Sequence, residues 1–350
     1  MNPGELYMQR CLELAAKGLG IVAPNPMVGC VIVSNGIIIG EGWHQEYGKA
    51  HAEVNAIRSV ADPKMLQNAC LYVNLEPCAH YGKTPPCADL IIEKGIPEVV
   101  IGTIDPFAKV HGKGIEKLEK AGIKVTTGVL EPACRELNKR FFTFQEKQRP
   151  YIILKWAETK DGFLDGLRTV ESGQKALQIS SPSSMELLHT WRGEESAILV
   201  GTNTALLDNP RLTARGGTGK NPLRIALDPM NRIPPTHHLK DSSTATLFFT
   251  SQSAGNSHHL EYEVISFLSE TESLQLIMQS LHRRNIQSLL VEGGSRLLQS
   301  FFSADLWDEV RVFISNVTIE KGLSAPEKPV LPFHQQQSGD DELRIYRNRS

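Results

Sequence analysis

The sequence predicts an α/β protein built as two domains. Strand-length apolar runs alternate with helix-period segments along nearly the whole chain, and 350 residues exceed the usual size of a single hydrophobic core. The stretch "FFTFQEKQRP" (141–150) then changes character, ending in a polar, proline-terminated segment before the fresh apolar run "YIILKWA". The expected domains are therefore residues 1–147 and 148–350.

The opening "MNPGELYMQRCLELAAKGLG" reads as an amphipathic helix with Leu6, Tyr7, Cys11, Leu14 and Ala15 on one side. It is not a targeting signal, since no basic region precedes an apolar run. "VGCVIVSNGIIIGEGW" reads as two strands joined at the hairpin dipeptide Asn35-Gly36. Helix "HAEVNAIRSV", strand "CLYVNLEP", helix "CADLIIEKG", strand "EVVIGTID", helix "GIEKLEKAG" and strand "IKVTTG" follow. The second half opens on the strand "YIILKWA", then has helix "SPSSMELLHTWRGEE" and strands "SAILVG", "LRIALD", "ATLFFT" and "YEVISF". Helix "ESLQLIMQSLHRRN", strand "SLLVEGG", the segment "SRLLQSFFSADL" and strand "EVRVFISNV" complete it. Residues 235–245 and 320–340, rich in Pro, Ser, His and Gln, are expected as surface loops.

Composition narrows the function. A net charge of -2 gives no electrostatic footprint for duplex nucleic acid, although a local pocket for one phosphate remains compatible with it. No apolar stretch reaches the roughly eighteen residues of a membrane span. Six cysteines in so long a chain do not resemble a secreted disulfide framework; reduced thiols or metal ligands and a cytoplasmic location are expected.

The chemistry concentrates in "HAE" (His51–Glu53) and "PCAHYGKTPPC" (77–87). One imidazole and the thiolates of Cys78 and Cys87 supply three tetrahedral positions for Zn²⁺ and leave the fourth open for water. Other transition metals also accept such ligands. Glu53 can take the water's proton and return it to a ring nitrogen and a departing amine. Residues two apart on a helix point roughly 200° from each other, so His51 and Glu53 share a pocket only if His51 sits at the helix entrance. Pro86 likewise predicts that Cys87 opens a helix, where the macrodipole favours a thiolate. A structural zinc or ordinary buried cysteines are the alternatives, but no fourth Cys or His stands at short spacing.

"HAEVNAI", "LEPCAHYGKTPPC" and "NPMVGCVIV" resemble the deaminase half of the bifunctional deaminase/reductase family of riboflavin biosynthesis. The resemblance implies a cytidine-deaminase-like three-layer domain, with His80 and Lys83 brought over the zinc site to meet a phosphorylated ribosylaminopyrimidine. It also places Asn25, His44 and Asp105 on the substrate side. Where the family commonly has Asn two residues beyond this aspartate, the chain has Phe107.

No GxGxxG follows a strand in the second half, although "LLVEGGSRLLQSFF" runs from a strand through two glycines into a helix that can offer backbone N–H groups to a phosphate. With "LKWAETKDG" and "WRGEESAILVGTNTALLDNPRLTAR" it resembles the reductase half of the same family. This implies a dihydrofolate-reductase-like domain that uses NADPH. By matching positions, Arg192, Leu212, Arg215 and Glu292 would hold substrate, the arginines being suited to its phosphate. Ala157, Thr204, Asp208 and the turn Gly293, Gly294, Ser295, Arg296, Leu297 and Leu298 would lie along NADPH, with Lys155 and Asp161 as further contacts. Thr159, Lys160, Phe163, Ala176 and Gln178 depart from the family pattern.

The expected protein is thus a two-step enzyme, acting by zinc deamination and then NADPH reduction on a small phosphorylated pyrimidine. The resemblance further implies a homo-oligomer; neither nucleic acid nor membrane is an expected partner. The alternatives are a deaminase whose reductase half is degenerate, a nucleoside or RNA deaminase, and a non-enzymatic zinc-stabilised binding module.

Overall fold

The computed structural model describes residues 2–81, 85–108, 110–169, 171–216, 220–252 and 255–348. The chain divides into two compact units, Met1–Gln148 and Arg149–Ser350. No helix among the described residues is long and apolar enough to cross a membrane.

The first unit runs α1 (Pro3–Ala16), β1 (Gly29–Ser34), β2 (Ile37–Trp43), α2 (Ala52–Arg58), β3 (Ala69–Leu75), α3 (Cys87–Glu93), β4 (Glu98–Thr103), α4 (Lys113–Lys120), β5 (Lys124–Thr127), α5 (Glu131–Leu137) and α6 (Lys139–Lys147). Its sheet has the order β2-β1-β3-β4-β5. β1 is antiparallel to β2 and β3, whereas β3, β4 and β5 are mutually parallel. The hairpin forms where Asn35-Gly36 predicts it, both residues having positive φ. α2, α3 and α4 bury Ala56, Ile91 and Leu118 against one face of the sheet. α1 and α5 bury Met8, Cys11, Leu12 and Cys134 against the other, which makes three layers.

One sequence expectation changes here. Leu6 is 53% exposed, and the buried stripe of α1 is Met8, Cys11, Leu12, Leu14 and Ala15. Leu6 precedes Met8 by two residues and so points roughly 200° away from it. Phe141, Phe142 and Phe144 of "FFTFQEKQRP" are buried in α6, the last helix of the first unit.

The second unit runs β6 (Tyr151–Glu158), β7 (Phe163–Asp165), α7 (Pro182–Glu194), β8 (Ala197–Gly201), α8 (Thr202–Asp208), β9 (Leu223–Leu227), β10 (Thr246–Thr250), β11 (Leu260–Val264), α9 (Glu270–Arg283), β12 (Ser288–Val291), α10 (Ser295–Ser303), β13 (Glu309–Ile314), β14 (Leu323–Ser324), β15 (His334–Ser338) and β16 (Asp341–Arg347). Nine strands form one sheet in the order β11-β10-β9-β8-β12-β6-β13-β16-β15. The run from β11 to β13 is parallel, and its inner strands β8, β10 and β12 are accordingly apolar on both faces. α9 and α10 cover one face, while α7 and α8 cover the other. The expected loop at 320–340 is partly strand: β15 pairs antiparallel with β16 at the sheet edge. Its "HQQQS" is almost wholly exposed and carries no apolar alternation, so nothing in its pattern marks a strand.

Candidate functional site

In the first unit, two helix entrances converge. His51 is the N-cap of α2, and Pro86 is the N-cap of α3, which makes Cys87 the first residue of that helix. α2 is pressed onto the hairpin: a Cβ on Gly42 would stand 2.3 Å from the Ala56 nitrogen, so only glycine lets the helix approach this closely. His51 Nδ1 lies 3.6 Å from Cys78 Sγ and 3.3 Å from Cys87 Sγ. All three donor atoms fall within 4.8 Å of one another. Tetrahedral zinc with ordinary Zn–S and Zn–N bonds spaces its ligands about 3.5–3.8 Å apart, so the set fits the cation.

Without a cation the three groups share protons unevenly. Hydrogen bonds from the Cys87 thiol and then from His51 bring the Cys78 thiol down to about 4. The same contact with Cys78 lifts His51 to about 9, and Cys78 likewise pushes the Cys87 thiol up. A bound cation would displace the protons of His51 and Cys87. Glu53, in the first turn of α2, is 3% exposed. Burial raises its pKa, with the positive charge of His51 opposing. A carboxyl displaced toward neutrality is suited to accepting and returning a proton.

His44 is buried and oriented from both sides: Nδ1 lies 3.0 Å from the Ala50 carbonyl, and Nε2 lies 3.0 Å from Asn25 Nδ2. The carbonyl requires the proton on Nδ1, so Nε2 accepts from Asn25. Burial, reinforced by neighbouring His51, lowers the His44 pKa and keeps the ring neutral. Buried His80 Nδ1 has no hydrogen-bond partner among the described residues, and its ring stands edge-on to Phe107 at 6.0 Å. Asp105 accepts from the Phe107 N–H at 2.8 Å, and burial pushes its carboxyl up to about 7. Lys83 lies outside the described residues.

Sequence reasoning missed the residues that hold this site. Asn138 accepts from Met27 N at 2.8 Å and donates to Met27 O at 2.9 Å, while Asn74 donates to the same oxygen at 3.1 Å and accepts from Gly29 N at 2.8 Å. These two buried amides fix the segment that follows Asn25. A lone Asn inside the apolar strand "CLYVNLEP" is the signal that could have found Asn74, because a buried amide needs partners.

In the second unit, Arg192 and Glu292 form a two-pronged buried pair, with Nε–Oε1 at 2.8 Å and Nη2–Oε2 at 2.6 Å. Arg192 Nη1 also reaches Thr213 O at 3.4 Å. This revises the expectation that both arginines read phosphate, because the fork of Arg192 is already engaged. Arg215 is exposed and carries no hydrogen bond among the described residues. Leu212 is buried with φ of 51°, a left-handed conformation that is costly for a branched side chain. Lys155, beside Glu292, Arg192 and Asp341, is buried, and that burial brings its ammonium down to about 8.

α10 begins at Gly294 without a side-chain cap, so its first N–H groups remain available to an anionic ligand. Thr204 stands against this turn: a Cβ on Gly294 would lie 3.2 Å from Thr204 Oγ1. Arg296 is turned to Glu270 and Leu298 is core, so the turn offers backbone rather than those side chains. Ser295 donates its hydroxyl to Ser324 O, and Leu297 packs partly buried against the core. Asp208 accepts from Arg168 at 2.6 Å, while Ala157 is half-buried near the end of β6. Asp161 accepts from Thr159 Oγ1 and from Ile319 and Glu320 N–H groups, and so anchors a turn. Exposed Gln178 caps only its own turn through Ser180 O, and Ala176 is exposed.

Comparison with known proteins covers both units. Residues 1–103 match the cytidine and deoxycytidylate deaminase zinc-binding region, and residues 150–321 match the RibD C-terminal domain. The riboflavin biosynthesis protein RibD of Aquifex aeolicus is 42% identical over 321 residues, covering 91% of this chain and 88% of that one. The Escherichia coli RibD is 35% identical over 326 residues, covering 89% and 87%. A Thermotoga maritima diaminohydroxyphosphoribosylaminopyrimidine deaminase/5-amino-6-(5-phosphoribosylamino)uracil reductase superposes with a TM-score of 0.88 at 38% identity, over 99% of this chain and 98% of that one. Acinetobacter baumannii RibD superposes at 0.86 with 29% identity, over 99% of each chain. With His51, Cys78 and Cys87 gathered at two helix entrances in one unit, and relatives this similar along almost the entire length, the chain belongs to the RibD family of riboflavin biosynthesis proteins.

Proposed function

We propose that this bifunctional enzyme of riboflavin biosynthesis first deaminates 2,5-diamino-6-ribosylamino-4(3H)-pyrimidinone 5′-phosphate. It then reduces the ribosyl group of 5-amino-6-(5-phosphoribosylamino)uracil to ribityl. The observation that carries the proposal is the convergence of His51, Cys78 and Cys87, with buried Glu53 in the first turn of the helix that His51 caps. Residues 1–147 are assigned to the first reaction and 148–350 to the second.

His51, Cys78 and Cys87 would hold zinc, which when bound would supply a Lewis acid that makes water nucleophilic near neutral pH. Glu53 takes the proton that the attacking water releases and hands it to the pyrimidine nitrogen, then carries the remaining hydroxyl proton to the amine, which leaves as ammonia. Asn25 and His44, locked to each other, present a fixed polar edge to the ring, and His80, Lys83 and Asp105 are assigned to the substrate as well.

NADPH, when bound, would supply the hydride that C1′ takes up once the C1′–O4′ bond opens. The α10 amides, Thr204, Ala157 and Asp208 line its place, and Lys155 is the buried donor for the proton that O4′ requires. Arg215 contacts the phosphate, while the Arg192–Glu292 pair and Leu212 form a rigid wall. Arg215→Ala should raise KM for the phosphorylated reductase substrate about tenfold with deamination unchanged. A rise in KM for NADPH alone would move Arg215 to the other ligand.

One assay tests the whole proposal: ammonia release and NADPH oxidation followed together on the diaminopyrimidinone phosphate. Ammonia first and then equimolar NADPH loss is expected. Ammonia alone would leave a deaminase with an inactive second half. Chelation is expected to stop ammonia release while reduction of added deaminated substrate continues. The first unit should stay folded, because its helices are seated on a five-stranded sheet. Unfolding on chelation would instead mark a structural zinc.

The proposed assembly is a homo-oligomer, supported by the exposed edge strand β15 and by exposed Val330, Leu331 and Phe333 just before it. Light scattering of the purified chain measures it, and a monomer at assay concentration would refute it. The proposed compartment is the cytoplasm, in keeping with six free cysteines.

A further inference from the structure

Glu76 stands immediately after β3 and two residues before Cys78, and is only 4% exposed. Its carboxylate collects backbone N–H groups. Oε2 accepts from Asp105 at 3.2 Å and Gly112 at 3.0 Å, and Oε1 accepts from Gly114 at 2.9 Å and Ile115 at 3.4 Å. Three of these donors belong to the N-terminus of α4, whose own N-cap, Gly112, has no side chain to satisfy them. The fourth, Asp105, begins the loop that leads into α4. One carboxylate therefore closes both ends of the loop 105–112, and the positive end of the helix dipole favours its charge.

A second observation ties this loop to the metal ligand. A Cβ on Gly114 would stand 2.1 Å from the carbonyl oxygen of Pro77, so the first turn of α4 rests on the peptide that joins Pro77 to Cys78. The loop carries Asp105 and Phe107, and the Phe107 ring stands against His80. Cys78 and the substrate side of the pocket thus share one anchor.

We infer that Glu76 is a positioning residue for deamination, its carboxylate fixing the Asp105–Phe107 loop relative to Cys78. The inference rests on the first unit being the deaminase. Glu76→Gln keeps the shape but turns an N–H donor toward backbone donors. In zinc-loaded enzyme it should lower deaminase kcat/KM about tenfold, mainly through KM, with zinc content and reduction unchanged. Glu76→Asp, which keeps the charge, should recover part of that loss. Gly114→Ala, which pushes α4 away from Pro77, should reproduce it. Wild-type kcat and KM in the Gln variant would overturn the inference, as would a lower melting temperature with kcat/KM per bound zinc unchanged. If none of the variants folds, amide exchange in the unmutated protein decides. Asp105, Gly112 and Gly114 amides should be protected as strongly as those of β3, and free exchange would overturn the inference. Absence of ammonia from unmutated, zinc-loaded enzyme would refute the deaminase proposal itself, a result distinct from any of these.

Discussion

Glu53→Gln stops ammonia release, with an expected fall in deaminase kcat of about 10²–10⁴-fold. The amide fills the same volume but cannot accept the proton that the attacking water must lose. Glu53 is not one of the three clustered donors, so metal content should stay at the wild-type level. Stability should hold too. The carboxyl is buried and its pKa is raised, so replacing it with a neutral group removes a desolvation cost rather than creating one. The decisive measurement is ammonia release per bound zinc, with reduction of deaminated substrate in the same preparation as the control. Residual deamination near wild type would remove Glu53 from its role.

The second large effect concerns the other unit. Arg192→Ala leaves Glu292 buried without its guanidinium, and breaking a buried pair in this way costs about 3–5 kcal/mol. Burial pushes the Glu292 pKa up, but Arg192 outweighs it and holds the carboxylate below its usual range. The pair's contribution is therefore present above the ordinary carboxylate pKa and is lost as pH falls through the lowered value. Denaturant unfolding should show an earlier transition for the second unit alone, with reduction abolished and deamination retained. Replacing both residues together, Arg192→Met with Glu292→Leu, should restore stability but not reduction. Recovery of activity along with stability would mean that the pair is structural only.

The zinc ligands and the helix entrances that carry them were legible in the sequence because their logic is local. Only an N-cap position lets His51 and Glu53 face one pocket, and proline before Cys87 marks a helix start. The Asn35-Gly36 hairpin was legible for the same reason. What stayed hidden depends on residues distant in sequence. The clamp of Asn138 on Met27 and the cap of Glu76 on α4 each join separate elements, and neither leaves a spacing signature. The engagement of Arg192 by Glu292 is likewise a property of the folded sheet. Residues 334–338 escaped notice because their edge strand lacks apolar alternation.

The strand order also dictates when each half can take shape during synthesis. Every strand of the first sheet lies between Gly29 and Thr127, so that half can fold while the rest of the chain is still being made. β6 is the first strand of the second sheet to emerge, yet its neighbours are β12 and β13, which begin only at Ser288 and Glu309. Until they arrive, an apolar strand waits with both edges open, a state prone to aggregation and in need of chaperone protection. A ribosome that stalls after α9 should therefore release a competent deaminase joined to an insoluble partner.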